Sequence, residues 1–379
     1  MAHIQNKRGE GRGWVARYRT PDGRERSKTF PRKVDAERFL NQVEVDKARG
    51  RWVDPRLGRV TLAEWHEDFL ATTGNLRAST RARDESYTKN HVLPRFGSTP
   101  IAAIDHLAVR TWVAELSATG KAPATVHKIF QNLSKPLAAA VDAGLISHNP
   151  CERVPLPKIE RAEQRFLAPI EVATLTEKID PRYSALIVTA AYSGLRIGEL
   201  LGLKRSRVDL LQRRLTVVET LSEVKGKLIT SPPKTRAGFR SVPIPRLVAD
   251  ALNDHVVAER IDSPDAYLFT SPHGGPIRLS QFRSRFWQPA VERAELTPLR
   301  IHDLRHTAVA LWIAAGASPR EIASRAGHSS VVTVLDRYGH LLPGSEDHVN
   351  DALDLLAEQA NQATGTDGSV TPLRRPSSG

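Results

Sequence analysis

The sequence predicts a multidomain chain: a small basic β-sheet-plus-helix module, then an all-α domain, then a larger α+β domain. Its 379 residues exceed what a single hydrophobic core usually organises. Two proline-containing stretches without periodicity, "DPRLGR" and "NPCERVPLPKIERAEQR", have the composition of linkers. In the last part the strand-like segments form one block instead of alternating with helices, which favours α+β. The predicted parts are residues 1–57, 58–158, 166–345 and an acidic C-terminal segment, 346–379.

The first part combines strand alternation with strong positive charge. "GWVARYR" and "RERSKTF" alternate on either side of the turn sequence "TPDGR", and a helix is predicted over residues 34–48. Residues 1–33 carry ten basic and three acidic side chains, a net charge of +7. A basic β-ribbon suits a DNA groove, although a solvated hairpin face explains the charge equally well. The candidate DNA-contacting residues are Arg12, Arg17, Arg19, Arg24, Arg26 and Lys28.

The next two parts differ in their signals. In the middle part "TLAE" is a capping box, and helices are predicted near residues 79–92, 105–117 and 123–143, before the stop signals in "GLISHNP". In the third part "RRLTVVETL" and "KLITSPPKTRAGFRSVPIP" are strand-like, whereas "ALIVTAAYSGLRIGELLGL" and "IRLSQFRSRFWQPAVERA" are helical.

The C-terminal segment is predicted to form a short acidic helix. Val349, Leu353 and Leu356 share one face of it, and the last dozen residues have a disordered composition. Because so short an apolar face is not stable alone, we expect the helix to dock on a catalytic domain. Docking on a neighbouring copy and docking on its own chain both remain open.

The composition narrows the class of partner and the compartment. The formal charge is +13 and the pI is near 10.1, which favours a polyanion such as nucleic acid. A single cysteine excludes internal disulfides and suits a reducing cytoplasm. No run of 18 apolar residues predicts a membrane span, and "MAHIQNKRGEGRG" lacks the apolar core of a secretory signal. The patterns GxxxxGK[ST] and GxGxxG are absent, so no nucleotide cofactor is predicted.

The stretch "RIHDLRHTAVALWIAAGA" places His302, Arg305 and His306 at the start of an apolar helix. Histidines four apart can share a metal, but Arg305 would repel the cation and the HExxH pattern is absent. An anion fits better, because backbone N–H groups and the helix dipole favour negative charge at a helix N-terminus. For this stretch alone, an arginine–carboxylate pair beside a capping histidine is the simpler explanation. His306 is given a structural role.

Other segments carry matching chemistry. Arg196 follows "YSGL" near a helix start, and Glu199 lies one turn further on, where it could hold the guanidinium. "PPKTRAGFR" is predicted to place Lys234 at a hairpin tip. His328 follows a helix stop in "RAGHSS", and Tyr338 lies on the next predicted helix.

In this order and spacing, these residues resemble the tyrosine recombinase family, also called the phage integrases. The six matching positions are Arg196, Lys234, His302, Arg305, His328 and Tyr338. The resemblance covers roughly residues 60–345, and the N-terminal module is similar, more weakly, to the arm-type DNA-binding domain of larger integrases. It implies a SAM-like helical core-binding domain and a catalytic domain in which Tyr338 is the nucleophile. A 3′-phosphotyrosine and a Holliday junction are the implied intermediates.

The resemblance also implies partners and a setting. Family members act as homotetramers on double-stranded DNA with core and arm-type sites, assisted by a host DNA-bending factor and a directionality factor. The expected role is integration and excision of a phage or mobile-element genome at the nucleoid of a bacterial host. Because the transfer conserves the phosphodiester bond energy, neither ATP nor a metal nor another cofactor is expected.

Elementary chemistry agrees with these roles. Negative charge that builds on a phosphodiester under attack suits two guanidinium forks, Arg196 and Arg305, with His302 and His328 as further donors. A cationic pocket is expected to favour the phenolate of Tyr338, and His302 is the expected proton acceptor. Lys234 is expected to protonate the departing 5′ oxygen.

Two other functions remain open at this stage. An enzyme like the type IB topoisomerases would use the same pocket to relax DNA without exchanging strands. A catalytically silent DNA-binding protein is the alternative outside enzymes, and the complete six-residue set argues against it.

Overall fold

The chain folds as two units, Met1–Ala162 and Glu163–Gly379. The computed structural model of the chain describes residues 3–6, 13–20, 23–48, 53–54, 56–74, 76–160, 164–341 and 345–364. Within these ranges no helix is both long and apolar enough to cross a bilayer.

A three-stranded antiparallel sheet begins the first unit. Its strands are β1 (His3–Asn6), β2 (Trp14–Arg19) and β3 (Glu25–Phe30), in the order β1-β2-β3. Helix α1 (Lys33–Ala48) covers one face, where alternation along β2 turns Ala16 and Tyr18 inwards. The sequence predicts β2, β3 and α1. Strand β1, with the polar sequence "HIQN", is additional, because only its pairing with β2 defines it.

Helices form the rest of the described first unit. They are α2 (Leu62–Thr72), α3 (Ala78–Tyr87), α4 (Leu93–Phe96), α5 (His106–Ala118) and α6 (Pro123–Asp142), with a π-helical turn, Thr88–Val92, between α3 and α4. The predicted capping box is confirmed, since Thr61 and Glu64 satisfy each other's backbone N–H groups at the start of α2. A shared apolar core joins these helices, and Trp65 Nε1 donates to the Pro136 carbonyl at 2.7 Å.

The second unit mixes helices with a block of strands. Its helices are α7 (Pro169–Lys178), α8 (Ser184–Ser193), α9 (Ile197–Leu201), α10 (Arg246–Ala258), α11 (Leu279–Phe282), α12 (Gln288–Arg293), α13 (Asp303–Ala314), α14 (Pro319–Ala326), α15 (Val332–Tyr338) and α16 (Ser345–Thr364). Its strands are β4 (Val208–Asp209), β5 (Arg214–Val217), β6 (Thr220–Val224), β7 (Lys227–Ser231) and β8 (Arg240–Pro243). They form an antiparallel sheet of order β4-β5-β8 and a separate β6-β7 hairpin. This arrangement confirms the predicted α+β class.

Helix α8 lies at the centre of this unit. Its sequence, "SALIVTAAYS", is apolar on nearly every side, and α7, α10 and α13 pack around it. Gly194 ends α8 in the left-handed region with φ 62°, and a Cβ there would lie 2.5 Å from the ring of Trp312 on α13. Only glycine therefore allows the chain to leave α8 so close to α13.

Helix α16 exposes its leucines. Leu353, Leu355 and Leu356 are each more than half exposed. The predicted apolar face also includes Val349, whose side chain lies outside the described part of the chain. Residues 365–379, which the sequence predicts to be disordered, lie outside it as well.

Candidate active site

The first turn of α13 is fixed by side chains of its own sequence. The Asp303 carboxylate accepts hydrogen bonds from the backbone N and from Nη2 of Arg300, both at 2.8 Å. Thr307 Oγ1 donates to the Asp303 carbonyl at 2.9 Å. His302 therefore takes the N-cap position, where it is exposed, and Arg305 points inwards. Asp303 and Thr307 thus both shape this turn.

Arg305 is buried and bound by three partners. Its Nη1 donates to the Gly194 carbonyl at 2.5 Å, and its Nη2 donates to the Ala326 carbonyl at 2.6 Å and to His328 Nε2 at 3.0 Å. Burial and the nearby positive charge of Arg196 lower the pKa of Arg305 to about 9, so the guanidinium is still charged at neutral pH. Arg305 therefore joins the start of α13 to the ends of α8 and α14.

Arg196 lies beside Arg305 and is more exposed to solvent. Its Nη1 donates to Glu199 at 2.9 Å and its Nη2 to the Gly327 carbonyl at 3.3 Å, while 41% of the side chain stays exposed. Both guanidinium groups therefore contact the C-terminal carbonyls of α14, where the helix dipole favours cations. The predicted contact between Glu199 and Arg196 is observed.

Glu199 has a second partner that sequence reasoning missed. Arg240, on β8, donates to its two carboxylate oxygens at 3.2 and 2.8 Å and to the Arg325 carbonyl at 2.7 Å. The Arg240 and Glu199 side chains are 7% and 2% exposed, so this is a buried ion pair. Burial alone would raise the pKa of Glu199, but its bonds to Arg240 and Arg196 outweigh burial and lower it.

Glu199→Gln is expected to destabilise the fold by about 3–5 kcal/mol, because it leaves the Arg240 guanidinium buried without its counter-charge. The pKa of Glu199 is lower in the folded chain than its usual 4.5. Its contribution to the free energy of unfolding is therefore present above pH 4.5 and is lost as the pH falls through the lower pKa of the folded state. Urea unfolding of both proteins between pH 3 and 7 should show the difference shrinking at the acid end.

Asp250→Asn is the matched control for this prediction. Asp250 also pairs with an arginine, Arg246, but the two side chains are 67% and 85% exposed and the contact is 3.8 Å. Its loss is expected to cost at most about 1 kcal/mol. Equal effects of the two variants would show that the Glu199 pair contributes no more than a surface pair.

His328 is positioned by the helix that precedes it. Its Nε2 accepts the hydrogen bond from Arg305, so its Nδ1 carries the proton in the neutral ring. That Nδ1 is buried and has no hydrogen-bond partner among the residues that the structure describes. Burial, Arg305 and Arg196 lower the pKa of His328 to about 4, so the ring is neutral at neutral pH. The result is an unused N–H donor beside two guanidinium groups.

Tyr338 is buried at the end of α15. Its hydroxyl lies 2.6 Å from Nδ1 of His306, and its ring packs against Phe166. The expectation that the cationic pocket favours the phenolate is wrong here, because burial outweighs Arg305 and Arg337 and raises the pKa of Tyr338. The sequence assigned proton acceptance to His302, but the hydrogen-bond partner of the hydroxyl is His306.

Lys234 does not lie where the sequence placed it. The tip of the β6-β7 hairpin is Lys225-Gly226, whereas Lys234 is exposed in the connection from β7 to β8. Pro232 and Pro233 end β7 because proline cannot donate to the strand ladder. The structure therefore brings together Arg196, His302, Arg305, His328 and Tyr338, and no contact joins Lys234 to them.

The predicted DNA-contacting residues divide between two faces of the N-terminal sheet. Arg17 and Arg19 are exposed on the face opposite α1. Arg26 and Lys28 pair with Tyr18 and Ala16, so they point to the helix side. There Arg26 approaches Asp54 at 3.8 Å, and Lys28 Nζ lies 5.0 Å from the Phe39 ring centre. Arg24 is exposed beside the turn, and Arg12 lies outside the described residues.

A metal site finds no support in the described part of the chain. There, no three side chains of His, Cys, Asp or Glu lie close enough together to hold an ion. His302 and His306 contact each other ring to edge, with centres 4.9 Å apart.

Known proteins match the same regions. The model of the phage integrase family matches residues 165–344, and that of the phage integrase N-terminal SAM-like domain matches residues 61–117. The prophage phiRv2 integrase of Mycobacterium tuberculosis (strain H37Rv) is 30% identical over 354 residues, which cover 91% of this chain and 93% of the relative. The ICEBs1 integrase of Bacillus subtilis (strain 168) is 30% identical over 287 residues, covering 72% and 77%.

Solved structures share the fold. The Tn1549 transposon integrase, in complex with transposon right end DNA, aligns with a TM-score of 0.67 at 22% identity, over 79% of this chain and 100% of that chain. A lambda integrase tetramer bound to a Holliday junction aligns with a TM-score of 0.54 at 18% identity, over 86% and 95%.

Proposed function

Because the chain belongs to the phage integrase family of tyrosine recombinases, we propose that it cuts and rejoins DNA at specific sites through a bond from Tyr338 to a 3′ phosphate. The observation that carries this function is the meeting of two guanidinium groups at the C-terminal end of α14. Arg196 is open to solvent on one side, and His328 keeps an unused donor beside it. Such a set of donors matches the nonbridging oxygens of a phosphodiester.

The reaction balances with groups of this chain alone. The Tyr338 hydroxyl gives its proton to a neighbouring histidine as its oxygen forms a bond to phosphorus, the bond to the 5′ oxygen breaks, and Lys234 protonates that oxygen. Arg196, Arg305 and the histidines stabilise the charge that builds on phosphorus. The 5′-hydroxyl of a second strand then attacks the phosphotyrosine and releases Tyr338. One bond replaces another in each step, so the chemistry consumes no ATP.

The relatives support a proposal for the biological setting. Integrases of a prophage and of the element ICEBs1 are among them, and we assign to this chain the integration and excision of a phage or mobile-element genome. The structural neighbours include an integrase on transposon-end DNA and a tetramer on a Holliday junction. We therefore propose a homotetramer on core and arm-type DNA sites, with a host DNA-bending factor and a directionality factor.

The parts of the chain divide this work. We assign arm-type DNA binding to residues 1–57, core-site binding to 58–158, catalysis to 166–345 and docking between protomers to 346–379.

A recombination assay tests the function as a whole. It uses a pair of plasmids that carry the DNA flanking each end of the element that encodes this chain. Recombinant junctions between the plasmids support it, whereas relaxation of supercoils without any junction would indicate a strand-swivelling enzyme.

The N-terminal module is expected to bind a second DNA sequence, so that one protomer bridges two sites. Two linked DNA-binding parts raise each other's effective concentration, by up to about 10²–10⁴-fold when both engage. Arg17→Ala/Arg19→Ala should abolish the arm-type footprint, lower the slope of log affinity against log salt, and leave cleavage of a short core duplex unchanged. Footprinting and recombination on long flanked substrates provide the measurement.

Lys28→Ala is the control, since it also removes an exposed cation from the sheet, but one on the α1 side, where its ammonium group lies over the Phe39 ring. It should keep the arm-type footprint. Deletion of residues 1–57 should likewise preserve core cleavage and lose recombination that depends on distant flanking DNA. One contiguous footprint for the intact protein, whatever the flanking DNA, would remove the bridging role.

A further inference from the structure

His306 contacts the hydroxyl that the proposed reaction uses as its nucleophile. The distance from His306 Nδ1 to the Tyr338 oxygen is 2.6 Å, and both residues are buried, at 5% and 1% exposed. We infer that His306 is a catalytic residue, which accepts the hydroxyl proton of Tyr338 as its oxygen attacks phosphorus. This inference rests on the proposed function, because it takes Tyr338 as the nucleophile.

The direction of the hydrogen bond follows from the surroundings of the hydroxyl. Among the described residues, His306 is its one recorded hydrogen-bond partner. If Nδ1 donated instead, the phenol proton would be buried without an acceptor, which is a costly arrangement. The favoured state therefore has the proton on Nε2 of His306, with the lone pair of Nδ1 facing Tyr338.

The position of His306 is set by two elements. It lies one residue after Arg305 in the first turns of α13, whose start is fixed by Asp303 and Thr307. Tyr338 ends α15, and the ring of Phe166 packs on its other side. The imidazole and the phenol are thus held against each other by helix packing, as a general base must be held against its proton donor.

Burial, together with the charges around the pair, keeps the His306 ring neutral before a phosphate binds. Burial and the His302 ring lower the pKa of His306 to about 4, so its lone pair is free at neutral pH. The charged or titratable groups that face it are His302, Asp303 and Arg300 on its own segment, and Arg337 and Tyr338 on α15. A bound phosphodiester brings negative charge that offsets the cations, so the proton becomes easier to hold on the imidazole as the bond forms.

The step then balances. The O–H bond of Tyr338 breaks, its proton moves to Nδ1, the new O–P bond forms, and the 5′ oxygen leaves with a proton from Lys234. In religation the attacking 5′-hydroxyl returns its proton to Lys234, and the imidazolium returns its proton to the Tyr338 oxygen as that oxygen leaves phosphorus. His302, which is exposed at the N-cap, remains free to donate to a phosphate oxygen.

A substitution that keeps an acceptor but not a base separates catalysis from positioning. His306→Asn can place an amide oxygen near the site of Nδ1, but an amide does not take up a proton. Single-turnover adduct formation is measured on a nicked core-site duplex with a 5′-bridging phosphorothiolate, whose leaving group needs no proton. The expected loss is about 10²–10⁴-fold at neutral pH, and it should shrink as the pH rises and hydroxide replaces the base.

His255→Asn is the matched control. His255 is another buried histidine of the same unit, and it bonds the Leu268 carbonyl at 2.8 Å, away from the cluster. The His255→Asn variant should cleave within a few-fold of the wild type.

A second measurement does not depend on the fold of a His306 variant. Replacing Tyr338 by 3,5-difluorotyrosine lowers the pKa of the phenol. It should flatten the pH dependence of adduct formation in the otherwise wild-type protein.

The outcomes are distinct. An adduct rate for His306→Asn within a few-fold of the wild type overturns proton acceptance, and a faster rate shows that the contact restrains Tyr338. An unchanged pH dependence with difluorotyrosine also overturns it. If Tyr338→Phe still forms the adduct, Tyr338 is not the nucleophile. That outcome contradicts the proposed function itself and not only the role of His306.

Discussion

Tyr338→Phe is expected to reduce the covalent DNA adduct to background while the protein still binds its core site. The change removes one oxygen from a buried ring, so packing against Phe166 is kept, while leaving Nδ1 of the buried His306 without its partner costs about 1–3 kcal/mol. No other tyrosine follows Tyr267 in the sequence. The measurement is denaturing electrophoresis of protein mixed with a labelled nicked duplex.

Tyr267→Phe is the control for the loss of a hydroxyl in the same unit. Its oxygen has a 3.5 Å contact with Thr230 and no part in the cluster. The control should form adduct at the wild-type level, and both variants should give wild-type band shifts on core-site DNA. Adduct at the wild-type level in Tyr338→Phe would assign the nucleophile to another residue.

The sequence predicted most elements because their signals are local. The capping box at Thr61 and the glycine stop at Gly327 each depend on a few neighbouring residues, and the structure has both. The polar strand β1 lacks such a signal, since only its pairing with β2 makes it a strand. The fold class could be predicted, whereas this edge of the sheet could not.

The candidate site was predictable in its members and less so in its contacts. His306 follows Arg305 directly, but its partner Tyr338 is 32 positions away in sequence, so nothing local revealed the hydrogen bond. The same holds for Arg240, which meets Glu199 from a strand 41 positions further on. A signal was present in each case: a second histidine on a histidine–arginine turn, and a basic residue that begins the strand-like stretch "RSVPIP".

Electrostatic expectations failed where burial had to be weighed against charge. The sequence shows the arginines around Tyr338 but not how deeply the phenol is buried, and burial decides the direction of its pKa. The surface charge of the N-terminal module had the same ambiguity. Only the strand register shows that Arg26 and Lys28 lie on the α1 side of the sheet, whereas Arg17 and Arg19 lie on the opposite side.

Loss of either guanidinium is expected to slow cleavage by about 10²–10³-fold, equal to about 2.7–4 kcal/mol of transition-state stabilisation. Arg196→Ala removes a side chain that is 41% exposed, so the fold should tolerate it. Arg305→Ala leaves the buried carbonyls of Gly194 and Ala326 without a donor, at about 1–3 kcal/mol each, so it should also lower the melting temperature.

Both variants therefore need two measurements. Single-turnover adduct formation measures the loss of catalysis, and thermal unfolding measures the loss of stability. Arg246→Ala is the control for the loss of one positive charge, since its side chain is 85% exposed and outside the cluster. It should leave both quantities near the wild type. Core-site affinity should change little in all three variants, because the chain has 55 lysine and arginine residues, and many others remain to contact the DNA backbone.

Arg196→Lys decides whether charge or geometry matters at this position. Lysine keeps the positive charge but not the planar fork, which can bond Glu199, the Gly327 carbonyl and a phosphate oxygen at once. If the fork is required, Arg196→Lys should cleave nearly as slowly as Arg196→Ala while melting like the wild type. Cleavage close to the wild type in Arg196→Lys, with loss in Arg196→Ala, would show that a point charge is enough. Near wild-type cleavage in both variants would remove Arg196 from the phosphate site and leave Arg305 and the histidines to hold the phosphate.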